Sequence, residues 1–181
     1  MERFARTVIG YHGCRHDFAE AVLLGKIRID EWQKSQNAYD WLGEGIYFWE
    51  HSPKRALRWA TERFTDPAAV GAVIQLGTCF DLLDDETPAL LAESYRELAE
   101  FYQAIGLELP VNRGREWKLR DLDCAVINAC MDRLGEQGIV VRGAFLEGVP
   151  AFPGTTISTE SHIQIAVRNV DRILGIFRPN L

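Results

Sequence analysis

The 181 residues, 47% hydrophobic and 25% charged, are enough for one globular domain with a sizeable core and leave little room for a second, so a single domain over residues 1–181 is expected. The 26 acidic residues against 20 Lys and Arg give a net charge of -6, which excludes an overall electrostatic pull toward nucleic acid. Cys14, Cys79, Cys124 and Cys130 share no C-x-x-C spacing, the N-terminus carries no long apolar run, and no segment approaches the roughly 18 uninterrupted apolar residues of a membrane span; a reduced, cytoplasmic protein with no membrane association is expected.

In chain order, Thr7-Val-Ile-Gly-Tyr-His12 reads as a strand ending at Gly13, followed by a short amphipathic helix from Asp17 to Leu24 that Gly25 stops. Lys26 to Gly43 is polar and aromatic, with Ser35, Gln36, Asn37 and Asp40 as turn formers, and reads as a surface loop near a site. Gly45-Ile-Tyr-Phe-Trp49 favours a strand; Ser52 then caps, and Pro53 opens, a helix to about Phe64. On that helix Lys54, Arg55, Arg58 and Arg63 form the densest basic cluster, which a solvated face accounts for.

After Asp66-Pro67, the runs Val70–Gly77 and Cys79–Leu83 read as buried strands in the sheet's interior. Pro88–Leu107 and Leu122–Leu134 have helical apolar spacing. Gly138–Leu146 returns to strand character, 148–154 is a Pro/Gly loop, and His162–Val167 alternates so that Ile163, Ile165 and Val167 share one face and His162, Gln164 and Ala166 the other. A last strand covers Ile173–Phe177. Strands early and late with helices between them make an α+β pattern.

Several chemistries lack their motifs. There is no G-x-S-x-G elbow, no phosphate-cradling Gly-rich loop and no G-x-G-x-x-G fingerprint. A Cys-His pair drawn from Cys14 or Cys130 with His51 or His162 has nothing nearby to activate a thiolate. His12-Gly-Cys14-Arg-His16 contains metal-ligand types, but Gly13 and the helix beginning at Asp17 break the common face, so no metal is expected.

Tyr11-His12-Gly13, then Gly45-Ile-Tyr47-Phe48 behind Gly43, then an alternating strand near the C-terminus resemble the ADP-ribosyltransferase superfamily of the poly-ADP-ribose-polymerase and diphtheria-toxin-like type, whose strands carry a His-Tyr-Glu triad. Order, spacing and flanking glycines match that pattern, while Pro88–Leu134 matches nothing in it. The resemblance implies an α+β fold with a split antiparallel β-sheet core and flanking helices, in a compact, free-standing, bacterial-style member. It implies NAD as substrate without a metal, and mono-ADP-ribosyl transfer to a protein or nucleic-acid acceptor. In the same terms His12 binds a ribose hydroxyl, the Gly13 backbone pairs with the nicotinamide carboxamide and Tyr47 stacks on the nicotinamide ring. Trp59 either lines that pocket or packs helix against sheet. Holding ring and ribose while the bond stretches toward an oxocarbenium-like state suits a hydrogen-bond clamp and an aromatic platform.

The third corner departs from the pattern. The family's glutamate opens the late strand, where this chain offers Glu160, His162 and Gln164, and neither a histidine nor a glutamine supplies fixed negative charge. Single transfer is therefore favoured over polymer elongation. Glu147 and then Glu50 are the other carboxylates within reach, both resembling surface residues. By fold-level analogy, such a member serves as an intracellular toxin held by an antitoxin or inhibitor protein, or as a defence effector. The alternatives are a non-catalytic NAD or ADP-ribose binding module and a tRNA 2′-phosphotransferase-like enzyme, which uses two histidines and arginines and for which no basic groove is evident.

Overall fold

The structure is a computed structural model that describes residues 6–135 and 140–181. Its strands are β1 (Thr7–Arg15), β2 (Ile46–Glu50), β3 (Pro67–Gln75), β4 (Phe80–Asp81), β5 (Val140–Phe145), β6 (His162–Val167) and β7 (Ile173–Phe177). Its α-helices are α1 (His16–Leu23), α2 (Pro53–Thr61), α3 (Thr87–Ala104) and α4 (Asp121–Leu134). The seven strands form one sheet in the order β4-β5-β6-β2-β1-β3-β7, antiparallel throughout except for β4 beside β5. This is the expected α+β class.

The pleat sorts side chains onto two faces. On one face Val8, Phe48, Val70, Ile74, Ile165 and Val167 form the largest core cluster, covered by Ala19 and Val22 of α1 and by Trp32. The opposite face is covered in two separate places. There α4 lays Ile127, Cys130 and Met131 on Val141, Phe145 and Ala166. Ala56 of α2 packs with Trp49 and Ala69. Between α2 and α4 a strip of this face is left uncovered by either helix, and it holds the site.

Three expectations change. β1 continues to Arg15, because a Cβ at Gly13 would run into the Ala56 carbonyl oxygen and come within 3.2 Å of the Trp59 ring; the glycine lets α2 cross closely and does not stop the strand. β3 begins at Pro67, paired with Arg15, where proline is tolerated as the first strand residue. Cys79–Leu83 is not interior: only Phe80–Asp81 is strand, and it lies at the sheet's edge. The expected strand from Gly138 is described from Val140, its first two residues lying outside the described ones.

Cys14, Cys124 and Cys130 are buried, Cys79 is partly buried, and all are free thiols. Burial pushes the Cys14 and Cys79 thiols up to about 12 and Cys124 to about 11, so none of these three supplies a thiolate at neutral pH. Among the described residues no helix is long and apolar enough to cross a membrane.

Candidate functional site

β1 and β2 pair through Gly10–Glu50 and Tyr11–Trp49, with the His51 N–H donating to the Ile9 carbonyl at 2.9 Å, and then part. Continuing that register would set Gly13 against Tyr47. Instead the His12 imidazole spans the gap, its Nδ1 2.9 Å from the Tyr47 carbonyl oxygen. A carbonyl only accepts, so Nδ1 carries the proton and Nε2 is left as a bare acceptor. The ladder alternation that turns Ile9 and Tyr11 toward β2 also turns the Gly13 N–H and carbonyl into the split.

His12 is enclosed by Trp32, Phe48 and Phe18, with ring centroids 5.4, 5.7 and 6.3 Å away. Burial lowers its pKa against the opposing effect of the Tyr47 carbonyl, and the ring is neutral at pH 7.

A cleft of about 660 Å³ opens over the split. That is within the ~300–1,000 Å³ of small-molecule sites. The cleft is lined by His12, Gly45, Ile46, Tyr47, Trp49 and Gln164, by Arg55 and Trp59 of α2, by Arg63 just beyond that helix, and by Lys34, Ser35 and Asp40. The loop from Lys26 to Gly43 thus borders the site as expected. Trp59 packs helix against sheet through Trp49, with centroids 5.6 Å apart, and also lines the cleft.

Tyr47 lines the cleft, yet its hydroxyl is engaged: it donates to the Gly43 carbonyl at 2.7 Å and accepts from the Leu42 N–H at 2.8 Å. Burial raises its pKa well above 10.0. Gly43, at φ +73° and with Asn128 Oδ1 where a Cβ would go, makes the tight return that brings its carbonyl to the phenol. Tyr47→Phe is expected to cost about 1–3 kcal/mol by leaving both backbone groups unpaired. Urea denaturation of the two proteins measures it, and an unchanged midpoint would show that the latch contributes nothing.

The three third-corner candidates are brought together and separated by depth. Gln164, opposite Trp49 across β6–β2, lines the cleft, as does Glu160 just before the strand. His162 lies behind them, stacked on Trp41 at 6.2 Å and tilted against Phe145 at 5.9 Å. Its Nδ1 is 2.8 Å from the Glu160 carbonyl oxygen, and its Nε2 is 2.9 Å from Gln164 Nε2.

Neither of the further carboxylates is a surface residue. Glu147 lines the cleft with a side chain 9% exposed, bonded to Arg55 and 3.5 Å from Lys118. Arg55 also reaches Glu160 at 3.0 Å, joined there by Arg58 at 3.4 Å. Arg55 therefore does not belong to a solvated helix face; it is the cation that collects two carboxylates beside Gln164. Glu50 points to the opposite face of the sheet, held by Arg142 at 2.6 Å. The sequence separation between Arg55 and Glu147 is 92 residues, so no local pattern announces the pair.

Cys14, two residues beyond His12, faces the core, and among the described residues no group of three or more His, Cys, Asp or Glu side chains is arranged to hold a metal ion.

Burial lowers the pKa of His162 as it does that of His12. For a lowered histidine the unfolded chain binds the proton first. Stability is then fully present above the ordinary value of 6.5 and is lost as pH falls from there through the folded values. The urea midpoint is expected to fall between about pH 7 and pH 5, by less in His12→Asn; a flat profile over that window would contradict neutral burial.

Comparison with protein-family models, with curated proteins and with solved structures finds no match for this chain.

Proposed function

We propose that the chain is a NAD-dependent mono-ADP-ribosyltransferase with the split-sheet core of that superfamily. The observation that carries the reading is His12 at the parting of β1 and β2, its Nε2 bare, with the Gly13 backbone directed into the same gap and Trp49, Trp59 and Tyr47 around it. A bare imidazole nitrogen suits a ribose hydroxyl, the amide and carbonyl of Gly13 suit the nicotinamide carboxamide, and aromatic faces suit the nicotinamide ring. Lys34, Arg63 and Lys118 offer the diphosphate its counter-charges.

In the reaction the bond from ribose to nicotinamide breaks with its electron pair leaving on nicotinamide. The acceptor's nucleophilic atom bonds to the anomeric carbon and gives up its proton. His12 and Gly13 hold ribose and ring at the two ends of that bond. No metal takes part. The acceptor is a protein side chain or a nucleic acid. In the cell we place the protein in the cytoplasm as a toxin or defence effector, with an antitoxin or inhibitor protein as its partner.

Incubation with NAD and chromatography of the products tests the reading: nicotinamide release is expected. A second reading, a non-catalytic NAD or ADP-ribose binding module, is favoured by one observation, that Gln164 is neutral while Arg55 holds both Glu147 and Glu160. Calorimetric binding of ADP-ribose without nicotinamide release would select the module. Absence of both would remove the two readings together. The phosphotransferase-like alternative has less support, because only one of His12 and His162 lines the cleft.

A further inference from the structure

We propose that Gln164 stands in for the missing carboxylate as a hydrogen-bond acceptor for a ribose hydroxyl, and that His162 is the positioning residue that turns its amide oxygen toward the cleft. This rests on the transferase reading for its ligand; the orientation itself does not.

The argument is a chain of obligations. The Glu160 carbonyl can only accept, so at 2.8 Å it requires a proton on His162 Nδ1. A neutral imidazole then has a bare Nε2. That atom lies 2.9 Å from the Gln164 amide and accepts an N–H from it. The reversed amide would set its oxygen against the bare nitrogen, two acceptors at contact distance. With the nitrogen committed to His162, Oε1 is the free end of the side chain; it takes no hydrogen bond among the described residues, and Gln164 lines the cleft. An amide oxygen accepts a hydroxyl as a carboxylate does, without fixed charge.

Burial and the Arg55 guanidinium oppose a second proton on the His162 ring, against the Glu147 and Glu160 carboxylates, which favour one. Trp41 and Phe145 pack on the ring, Glu147 lies 3.7 Å from Nδ1, and Arg55 stands behind Glu147 bonded to it. Glu160 adds its carboxylate, already held by Arg55 and Arg58, and Arg120 lies over the Trp41 and Phe145 rings at 4.2 and 4.8 Å. A second proton on Nε2 would make it a donor, reverse the amide and show the cleft an NH2 group where an acceptor is needed. Acid loss of nicotinamide release is therefore expected to include a component absent from Gln164→Glu, whose acceptor has no orientation to lose.

Two measurements test the proposal. Nitrogen-15 spectra of the labelled wild type report the His162 tautomer and need no activity. The Nδ1-protonated form is expected; the Nε2-protonated form would overturn the proposal even if NAD proves not to be the substrate.

The second measurement is nicotinamide release, with ADP-ribose affinity beside it. His162→Phe keeps the packing and frees the amide, and a loss of about tenfold is expected, the scale of one hydrogen bond. Gln164→Leu, which leaves the histidine in place, is expected to lose as much. His162→Phe combined with Gln164→Glu is expected to recover most of the loss. Wild-type release in either single variant, or a folded double variant no better than His162→Phe, would overturn the positioning role. Failure of the wild type to bind ADP-ribose or release nicotinamide would instead overturn the transferase reading.

Discussion

His12→Ala is expected to lower nicotinamide release by at least about 100-fold, the scale of losing one group that positions a reacting ribose. The substitution removes an imidazole that lines the cleft and also the 2.9 Å bond that bridges the parted strands. Its structural cost is bounded. The lost hydrogen bond and the gap among Trp32, Phe48 and Phe18 amount to about 2–4 kcal/mol, against the ~5–15 kcal/mol of a typical domain. The variant should still melt cooperatively, so activity is compared at a temperature where both proteins are folded. Release at the wild-type rate would remove His12 from the chemistry and leave it as a strand bridge.

Arg142→Met is expected to produce the largest loss of stability, about 3–5 kcal/mol, because it abandons two largely but not fully buried carboxylates. Arg142 donates to Glu50 at 2.6 and 3.2 Å and to Asp81 at 2.8 Å. The side chains of Arg142, Glu50 and Asp81 are only 10, 10 and 18% exposed. Arg6, at 3.5 Å from Asp81, is mostly exposed and cannot neutralise both acids. Arg28→Met, which breaks an exposed pair with Asp30, is expected to change stability by less than about 1 kcal/mol. Guanidinium denaturation of the three proteins checks the contrast, and equal midpoints for the two variants would refute it. Because the triad lies on the face away from the cleft, the folded fraction of Arg142→Met should retain its catalytic rate.

What the sequence discloses follows from how local each cause is. β6 and β7 match their expected bounds because alternation and flanking turns are properties of the strands themselves. His12 and Tyr47 are conspicuous because each has glycines nearby, though a glycine does not announce its own reason. Gly13 looks like a stop, but its reason is Ala56, forty-three residues later on a helix that crosses above it. The Cys79–Leu83 run looks buried because it is apolar, yet Asp81 inside it answers to Arg142 on a neighbouring strand. Alternation puts His162 and Gln164 on one face; which of them meets the cleft is decided by Trp41, from a loop whose path no periodicity describes. Arg55, Glu147 and Glu160 are invisible as a group for the same reason: they converge only when α2 lies over the end of β6.

The parting of β1 from β2 has a mechanical side. β1 is registered against β3 along its whole length, from Thr7–Gln75 to Arg15–Pro67, whereas β1 and β2 share two registered pairs, one further backbone bond and an imidazole. The sheet is thus two stiff plates, β4-β5-β6-β2 and β1-β3-β7, joined along a short seam. A molecule lying across that seam and touching both plates works as a splint: its binding energy opposes their flexing directly, and the amides on either side of the seam, far from any contact with it, would exchange their hydrogens more slowly.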